Sequence, residues 1–418
     1  PADAGQSVYV QYHRSPRRLQ KANDAELEVE GPLPMQARND MPAYLQLGPS
    51  LTMVLPMATM ALFMNRGAAS LVMVGTSAVV AIFWSIMNRR HNEKKWQQDE
   101  DLRLSVCRQY YAETEEKLII ERNRERERLL HNYLSSQECV NLPRSSTHRL
   151  WERMPSHRDF LELRLGLGEL PLPLQLSVPK EKLSLVEDPL RYEPRRLRDS
   201  YSVLRDVPIT VDVIKHRLIG ILGSERTPWV MQNMVVQAAA NHSYHDVRIA
   251  VLYTPDTRNA WHWTKWLPHV FATDDRELRM AVSEPAMVQE VLSRLDAILS
   301  IRADANSERS GDTGFVQEEE EIESGAPYRG ELPYYMVFVA DPHLIEDHPI
   351  TRYMASDDLG FSMVVQAATK EMLPKECKLI IESKAQLGAV YTDQGDVTGT
   401  QFDLIAPQQL DNFAKQLA

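Results

Sequence analysis

Cysteine is scarce in this chain: the 3 present, Cys107, Cys139 and Cys377, are widely separated and form no CxxC pair. An odd, scattered set argues against a disulfide framework or a thiolate zinc site and suits a reducing compartment. Positive charge is in deficit as well, with 47 Lys and Arg against 58 Asp and Glu, a net charge of -11. A general binder of nucleic-acid backbone needs a basic surface to displace counterions from phosphate, so that function class is disfavoured. No basic segment followed by an apolar one opens the chain at Pro1, which argues against a secretory signal there. Pro1 in place of Met predicts that the natural start lies upstream. What remains is a chain of 418 residues, too long for one ordinary core, whose mean hydropathy of -0.37 averages over very unlike segments.

Two of those segments lack charge altogether. The run AYLQLGPSLTMVLPMATMALFM covers 43–64, and after Asn65, Arg66 and Gly67 the run AASLVMVGTSAVVAIFWSIM reaches Met87. Each is about 20 residues, the length a helix needs to cross roughly 30 Å of hydrocarbon. Arg14, Arg17, Arg18, Lys21 and Arg38 precede the pair, Arg89, Arg90, Lys94 and Lys95 follow it, and the turn holds only Arg66. This pattern predicts a transmembrane hairpin over 43–90, behind an N-terminal cytosolic segment 1–42, in a multi-pass protein of the bacterial cell membrane with both termini cytoplasmic.

From Asn92 to Leu134 the chain has neither proline nor glycine and is dominated by Glu, Arg, Lys, Gln and Leu. Good helix formers with opposite charges three apart, such as Glu121 with Arg124 and Glu125 with Arg128, predict one long helix, a stalk over 91–140. Its apolar positions Leu102, Val106, Tyr110, Leu118, Ile119, Leu129 and Leu130 give a broken stripe, which predicts packing along part of the length rather than a coiled coil.

Leu142, Pro143 and the polar stretch to Pro155 suggest a boundary, beyond which 141–418 reads as an α/β domain with a mainly parallel sheet. FLELRLGL at 160–167 alternates like a half-buried strand, and Leu183 to Val203 suggests a helical insert broken at Pro189 and Pro194. Apolar strands follow at RLIGILG (217–223), VRIAVLY (247–253), YYMVFVAD (334–341), FSMVVQA (361–367) and CKLIIE (377–382), with an amphipathic helix expected at WVMQNMVVQAAAN (229–241). The acidic stretch within 304–329 is expected to be a disordered insert.

Strand, glycine, loop and helix is the layout of a phosphate-binding loop, and an apolar strand ending in Asp is that of its magnesium-holding partner. The chemistry is missing from both. A working loop reads GxxxxGK followed by Ser or Thr, so that backbone N–H groups cradle phosphate, Lys neutralises it and the hydroxyl holds magnesium. From Gly223 the chain reads GSERTPWV, through Ser224 and Arg226, with Pro228 and Trp229 where Gly and Lys are required. A register from Gly220 would instead offer Glu225, Arg226 and Thr227. At the second half of the site Pro342 follows Asp341, where a hydrolytic motor would place a base to activate water. Weak binding through Arg226 or His343 stays open, as does the reading that any α/β domain could show these two layouts.

Several stretches, in order along the chain, carry a more specific likeness: YHRSPRR at 12–18, RLGLGE at 164–169, WHWTKWLPH at 261–269, LPYYMVFVAD at 332–341 and LGFSMVVQAATKEMLP at 359–374. In these the chain resembles the EssC/EccC membrane ATPases of type VII secretion, within the wider FtsK/SpoIIIE superfamily. The resemblance implies two membrane helices, a stalk and a membrane-proximal, degenerate FtsK-like P-loop ATPase domain, with catalytic modules lying beyond Ala418. It implies an anchor and non-catalytic platform, coupling those modules to membrane-embedded subunits of the EssB/EccB type, in a hexameric ring that exports WXG-type proteins. No catalytic residue, metal or cofactor is expected in this part, ATP and magnesium belonging to the downstream domains. An active NTPase of the same architecture and a DNA-translocating relative are the alternatives. Trp261, Trp263 and Trp266 are candidates for an interface, or else for the core.

Overall fold

Strands covered by helices on both faces must be apolar at nearly every position, and this dictates where the parallel sheet forms. In YYMVFV, Tyr334, Met336 and Phe338 join one buried cluster while Tyr335, Val337 and Val339 join another, so the strand's two faces feed two cores. The computed structural model describes residues 14–15, 17–21, 26–35, 59, 68–145, 148–180, 188–223, 228–273, 277–312, 328–354, 359–384, 387–393 and 395–418. In chain order the elements are β1 (Glu26–Glu28), α1 (Ala68–Asn132), α2 (Ser136–Ser145), β2 (Glu162–Pro171), β3 (Gln175–Ser177), α3 (Glu193–Tyr201), β4 (Val203–Asp212), β5 (Leu218–Leu222), α4 (Trp229–Asn241), β6 (Val247–Leu252), β7 (Ala281–Val282), α5 (Pro285–Asp312), β8 (Tyr334–Val339), β9 (Phe361–Ala367), β10 (Leu379–Lys384), β11 (Leu387–Thr392), β12 (Gly395–Phe402) and α6 (Pro407–Leu417), with short helical turns between them. The chain divides into two units, one of Pro1–Asn23, Arg122–Pro173 and Val203–Ala418, the other of Asp24–Glu121 and Leu174–Ser202.

The first unit is built on a 10-stranded sheet in the order β4-β2-β12-β11-β10-β5-β9-β8-β6-β7. From β10 to β7 every pairing is parallel, whereas β11, β12, β2 and β4 continue it antiparallel. The expected strands 217–223, 247–253, 334–341, 361–367 and 377–382 are thus the parallel half, and the sheet as a whole is mixed. Helix α4 differs from its expected amphipathic character: every residue from Val230 to Asn241 is buried. Its polar residues are matched, Gln232 donating to Ala260 O at 2.7 Å and Gln237 to Leu134 O at 3.0 Å. Helix α2 runs across the boundary placed at 140, with Pro143 inside it and Cys139, Val140 and Leu142 buried. Helix α5 reaches Asp312 and so takes in the start of the stretch read as an insert, while 313–327 lie outside the described residues.

The second unit holds β1 and β3, paired in parallel, and a small core of Val29, Cys107, Tyr111, Leu118, Leu190 and Leu197. The buried face of α1 here is Arg103, Cys107, Tyr111, Thr114 and Leu118, whereas Leu102 and Val106, expected in the stripe, are 64% and 48% exposed. Polar groups occupy this face because each has a partner. The Arg103 guanidinium donates to Glu100, to Asp188 at 2.9 Å and to Leu33 O at 2.7 Å. These carboxylates raise its pKa further.

The expected stalk helix is present, but as part of a single helix of 65 residues that begins at Ala68. The second apolar run is therefore the opening of α1, and it passes without a break into Arg89 and Arg90. The first run, 43–64, lies outside the described residues except Thr59. Among the described residues no helix is long and apolar enough to cross a membrane. The expectation of a transmembrane hairpin in a multi-pass protein of the bacterial cell membrane is corrected on that finding.

Candidate functional site at the carboxyl end of the parallel strands

In an open α/β sheet, ligands bind beyond the carboxyl ends of the strands, where the direction of the connections reverses. Here β5 leads through α4 to β6 on one side, and β9 leads to β10 on the other, so the reversal falls between β5 and β9. Gly223 stands just past β5, and its N–H donates to Ala367 O at the end of β9 at 3.2 Å. A Cβ added at Gly223 would meet nothing nearer than Ser383 O at 3.5 Å, so no close backbone approach requires glycine there. Ser224 and Arg226 lie outside the described residues. Pro228 is the N-cap of α4, makes no side-chain cap bond and is followed by a half-buried Trp229. A helix start that could present donors to phosphate is thus opened by a residue without an N–H and one without a cation.

Asp341 lies two residues past β8, on the far side of β9 from β5. One of its carboxylate oxygens accepts the His343 backbone N–H at 3.0 Å, capping a short turn that Pro342 begins. Past this turn opens a cavity of about 600 Å³ between the carboxyl ends of β8 and β9, whose lining includes Pro342, Glu346, Arg352, Leu373 and Glu376. Gly223, Pro228 and Trp229 are not part of that lining. Glu371 joins the lining, its carboxyl held below the usual range by hydrogen bonds from its own backbone N–H and the Thr369 hydroxyl. His343 Nδ1 lies 2.9 Å from Glu346, and Arg352 is engaged by Asp296 at 3.1 Å and by the Tyr353 hydroxyl at 2.6 Å. Carboxylates outnumber cations around this cavity, which opposes a triphosphate. Among the described residues no cluster of His, Cys, Asp and Glu could hold a metal ion.

The tryptophans separate. Trp261 is 1% exposed and Trp263 5% exposed, both in the core, with the Trp263 indole N–H donating to Ala260 O at 2.9 Å. Of the three residues read as an interface or else as core, Trp261 and Trp263 thus lie in the core and Trp266 is half-buried. Sequence reasoning passed over the buried histidines beneath this segment. His269 Nε2 donates to His242 O at 2.8 Å, and the His242 ring is held between Ala238 O and the Leu161 N–H. Burial lowers the pKa of His269 to about 4 and that of His242 well below its ordinary value. The cue was available in WLPH, an apolar stretch that ends on a histidine.

No protein-family model matches the chain. Over 386 residues, 91% of this chain and 25% of the relative, it is 24% identical to the ESX secretion system protein EccC of Geobacillus thermodenitrificans. Over 414 residues, 98% of this chain and 27% of the relative, it is 24% identical to the type VII secretion system protein EssC of Staphylococcus aureus. Among solved structures, EssC (ATPases 2 and 3) of Geobacillus thermodenitrificans aligns over 64% of this chain and 50% of its own, with a TM-score of 0.39 and 11% identity. EccC (ATPases 2 and 3) of Thermomonospora curvata, in complex with a signal sequence peptide, aligns over 50% and 44%, with a TM-score of 0.35 and 13% identity. The chain spans about a quarter of the length of the curated relatives it matches, and these homologues are the EssC and EccC proteins of type VII secretion.

Proposed function

We propose that this chain is a non-hydrolysing, ATPase-like platform of a type VII secretion protein. In this reading it takes no ATP or magnesium of its own and couples ATPase domains elsewhere in the full-length protein to the export of WXG-type proteins. The observation that carries it is the state of Asp341. The carboxylate that would hold magnesium caps its own turn, Pro342 occupies the position of a base, and Glu346, Glu371 and Glu376 surround the adjoining cavity. A metaphosphate-like transition state needs cations and a positioned water, whereas the described lining sets one arginine, itself paired with Asp296, against three glutamates.

The test is titration of the full chain with ATP and magnesium, followed by calorimetry and by phosphate release. No saturable heat is expected up to about 1 mM ATP, and phosphate release should match that of the Asp341→Ala variant. Turnover by the chain that Asp341→Ala abolishes would overturn the reading.

A further inference from the structure

Trp266 closes the short helical turn His262–Trp266, and three elements bring cations to its ring. Lys265 Nζ lies 4.9 Å from the ring centroid, the Arg279 guanidinium 6.0 Å and Lys415 Nζ, from α6, 6.0 Å. Arg279 also stands 5.3 Å over Phe271, the residue with which it forms an isolated β-bridge. Distances of this order are those at which a ring's electron-rich face attracts a cation. The cations are under-neutralised. Lys415 pairs with Asp411, but Lys265 and Arg279 make no ion pair among the described residues. Lys265 instead touches His262 Nε2, and burial, Lys265 and Arg258 together hold that imidazole below its ordinary pKa.

The chain has 58 acidic and 47 basic residues, and yet among the described residues only Asp411 forms an ion pair with any of these cations. The support of this surface is buried and hydrogen-bonded. Trp261 and Trp263 are buried beneath it, the Thr264 hydroxyl donates to Trp261 O at 2.7 Å, and His269 ties the segment to His242. The Trp266 indole N–H donates to no acceptor among the described residues. A half-exposed indole with an available donor, ringed by cations and fixed on a buried base, has the composition and preorganisation of an interface centre.

We infer that Trp266, Lys265, Arg279 and Lys415 form a docking surface for an acidic, aromatic-bearing segment of a partner protein. Carboxylates of such a segment meet the cations and the indole N–H, and its aromatic side chain packs on the Trp266 ring. The small number of cations selects a short acidic segment of a protein over nucleic acid, because a few cations around one indole neutralise few phosphates of a continuous backbone. The inference is independent of the proposed function, since none of these residues lines the cavity beside Asp341.

The probe is a fluorescein-labelled octapeptide alternating glutamate and phenylalanine, titrated with the full chain by anisotropy at about 50 mM and about 300 mM salt. Saturable binding with Kd below about 1 mM is expected, weaker at the higher salt. Lys265→Glu with Arg279→Glu should weaken it at least about tenfold and Trp266→Ala at least about threefold, while Arg205→Glu, an exposed arginine on β4, stays within about twofold. Far-UV circular dichroism and melting establish that each variant is folded, and if the double variant is not, Trp266→Ala carries the comparison. Failure of the peptide to bind, equal binding by the variants, or tighter binding of a single-stranded oligonucleotide of equal charge would each overturn the inference.

Discussion

Lowering the pH from 7.5 to 4 should weaken the fold in a way that one side chain, His269, accounts for in large part. His269 Nε2 donates to His242 O, while its Nδ1 is buried with no partner among the described residues, and Arg248 stands nearby. A proton added to Nδ1 would therefore be a buried charge without an acceptor, which is why burial takes the pKa from 6.5 to about 4. The unfolded chain binds that proton first, so the contribution is fully present above about 6.5, is lost as the pH falls towards about 4, and is level below that. The difference between 6.5 and about 4, at about 1.36 kcal/mol per unit, amounts to about 3 kcal/mol. His242 acts in the same direction, whereas the raised pKa of buried Glu162 acts in the opposite one, its stabilisation growing as the pH falls towards 4.5. Comparison with His269→Gln removes both, because the amide can still donate to His242 O but does not titrate. Urea unfolding followed by tryptophan fluorescence should show the variant less stable by about 1 kcal/mol at pH 7.5, through lost ring packing on Trp151 and Tyr244. Near pH 4 the variant should be the more stable of the two. Stability curves that stay parallel to within about 0.5 kcal/mol over the whole range would refute the reasoning.

Five substitutions test the placement of other residues. Trp261→Ala should cost about 3–5 kcal/mol in urea unfolding because it empties a core site, whereas Trp266→Ala should cost under about 1 kcal/mol. Gly388→Ala should destabilise by at least about 2 kcal/mol, since its Cβ would stand 2.0 Å from Glu382 O, while Gly223→Ala should change the unfolding midpoint little. Arg103→Ala should cost about 2 kcal/mol by leaving Asp188 and Glu100 without their shared cation, and limited proteolysis should then cut sooner within Asp24–Glu121.

The parallel half of the sheet was legible because burial on both faces leaves a strand no polar position to blur the pattern, as in β8 and β9, where every residue is buried. The antiparallel half carries no such signal. In β12 only Thr400 and Phe402 are buried, and its hairpin partner β11 is reached through a turn at Gly395, whose φ is +142°. An alternation in which one buried residue is a threonine does not separate from loop by composition. The long helix was legible from its helix formers, but its buried face was not, because Arg103 and Thr114 look solvated until their partners are known. Asp188, which makes Arg103 a core residue, lies 85 positions away. Likewise the buried run from Val230 to Asn241 contains Gln232, Asn233, Gln237 and Asn241, polar residues that imply an exposed face unless tertiary acceptors exist for them.

The two prolines that mark the candidate site follow one logic. Pro228 and Pro342, which the proposed reading places where a hydrolytic motor would need part of a phosphate cradle and a base, each open a helical turn at the carboxyl end of the sheet. Proline suits the start of a helical turn, because its fixed φ is already helical and the N–H it lacks would have had no partner within the helix. At a phosphate site that missing N–H is the functional group itself. In the proposed reading, proline at either position withholds chemistry while suiting a helical start, and in the turn that Pro342 begins the His343 N–H donates to the Asp341 carboxylate. This accounts for a frame kept intact, with strands in register and both cores filled, around positions whose residues favour local structure over a triphosphate.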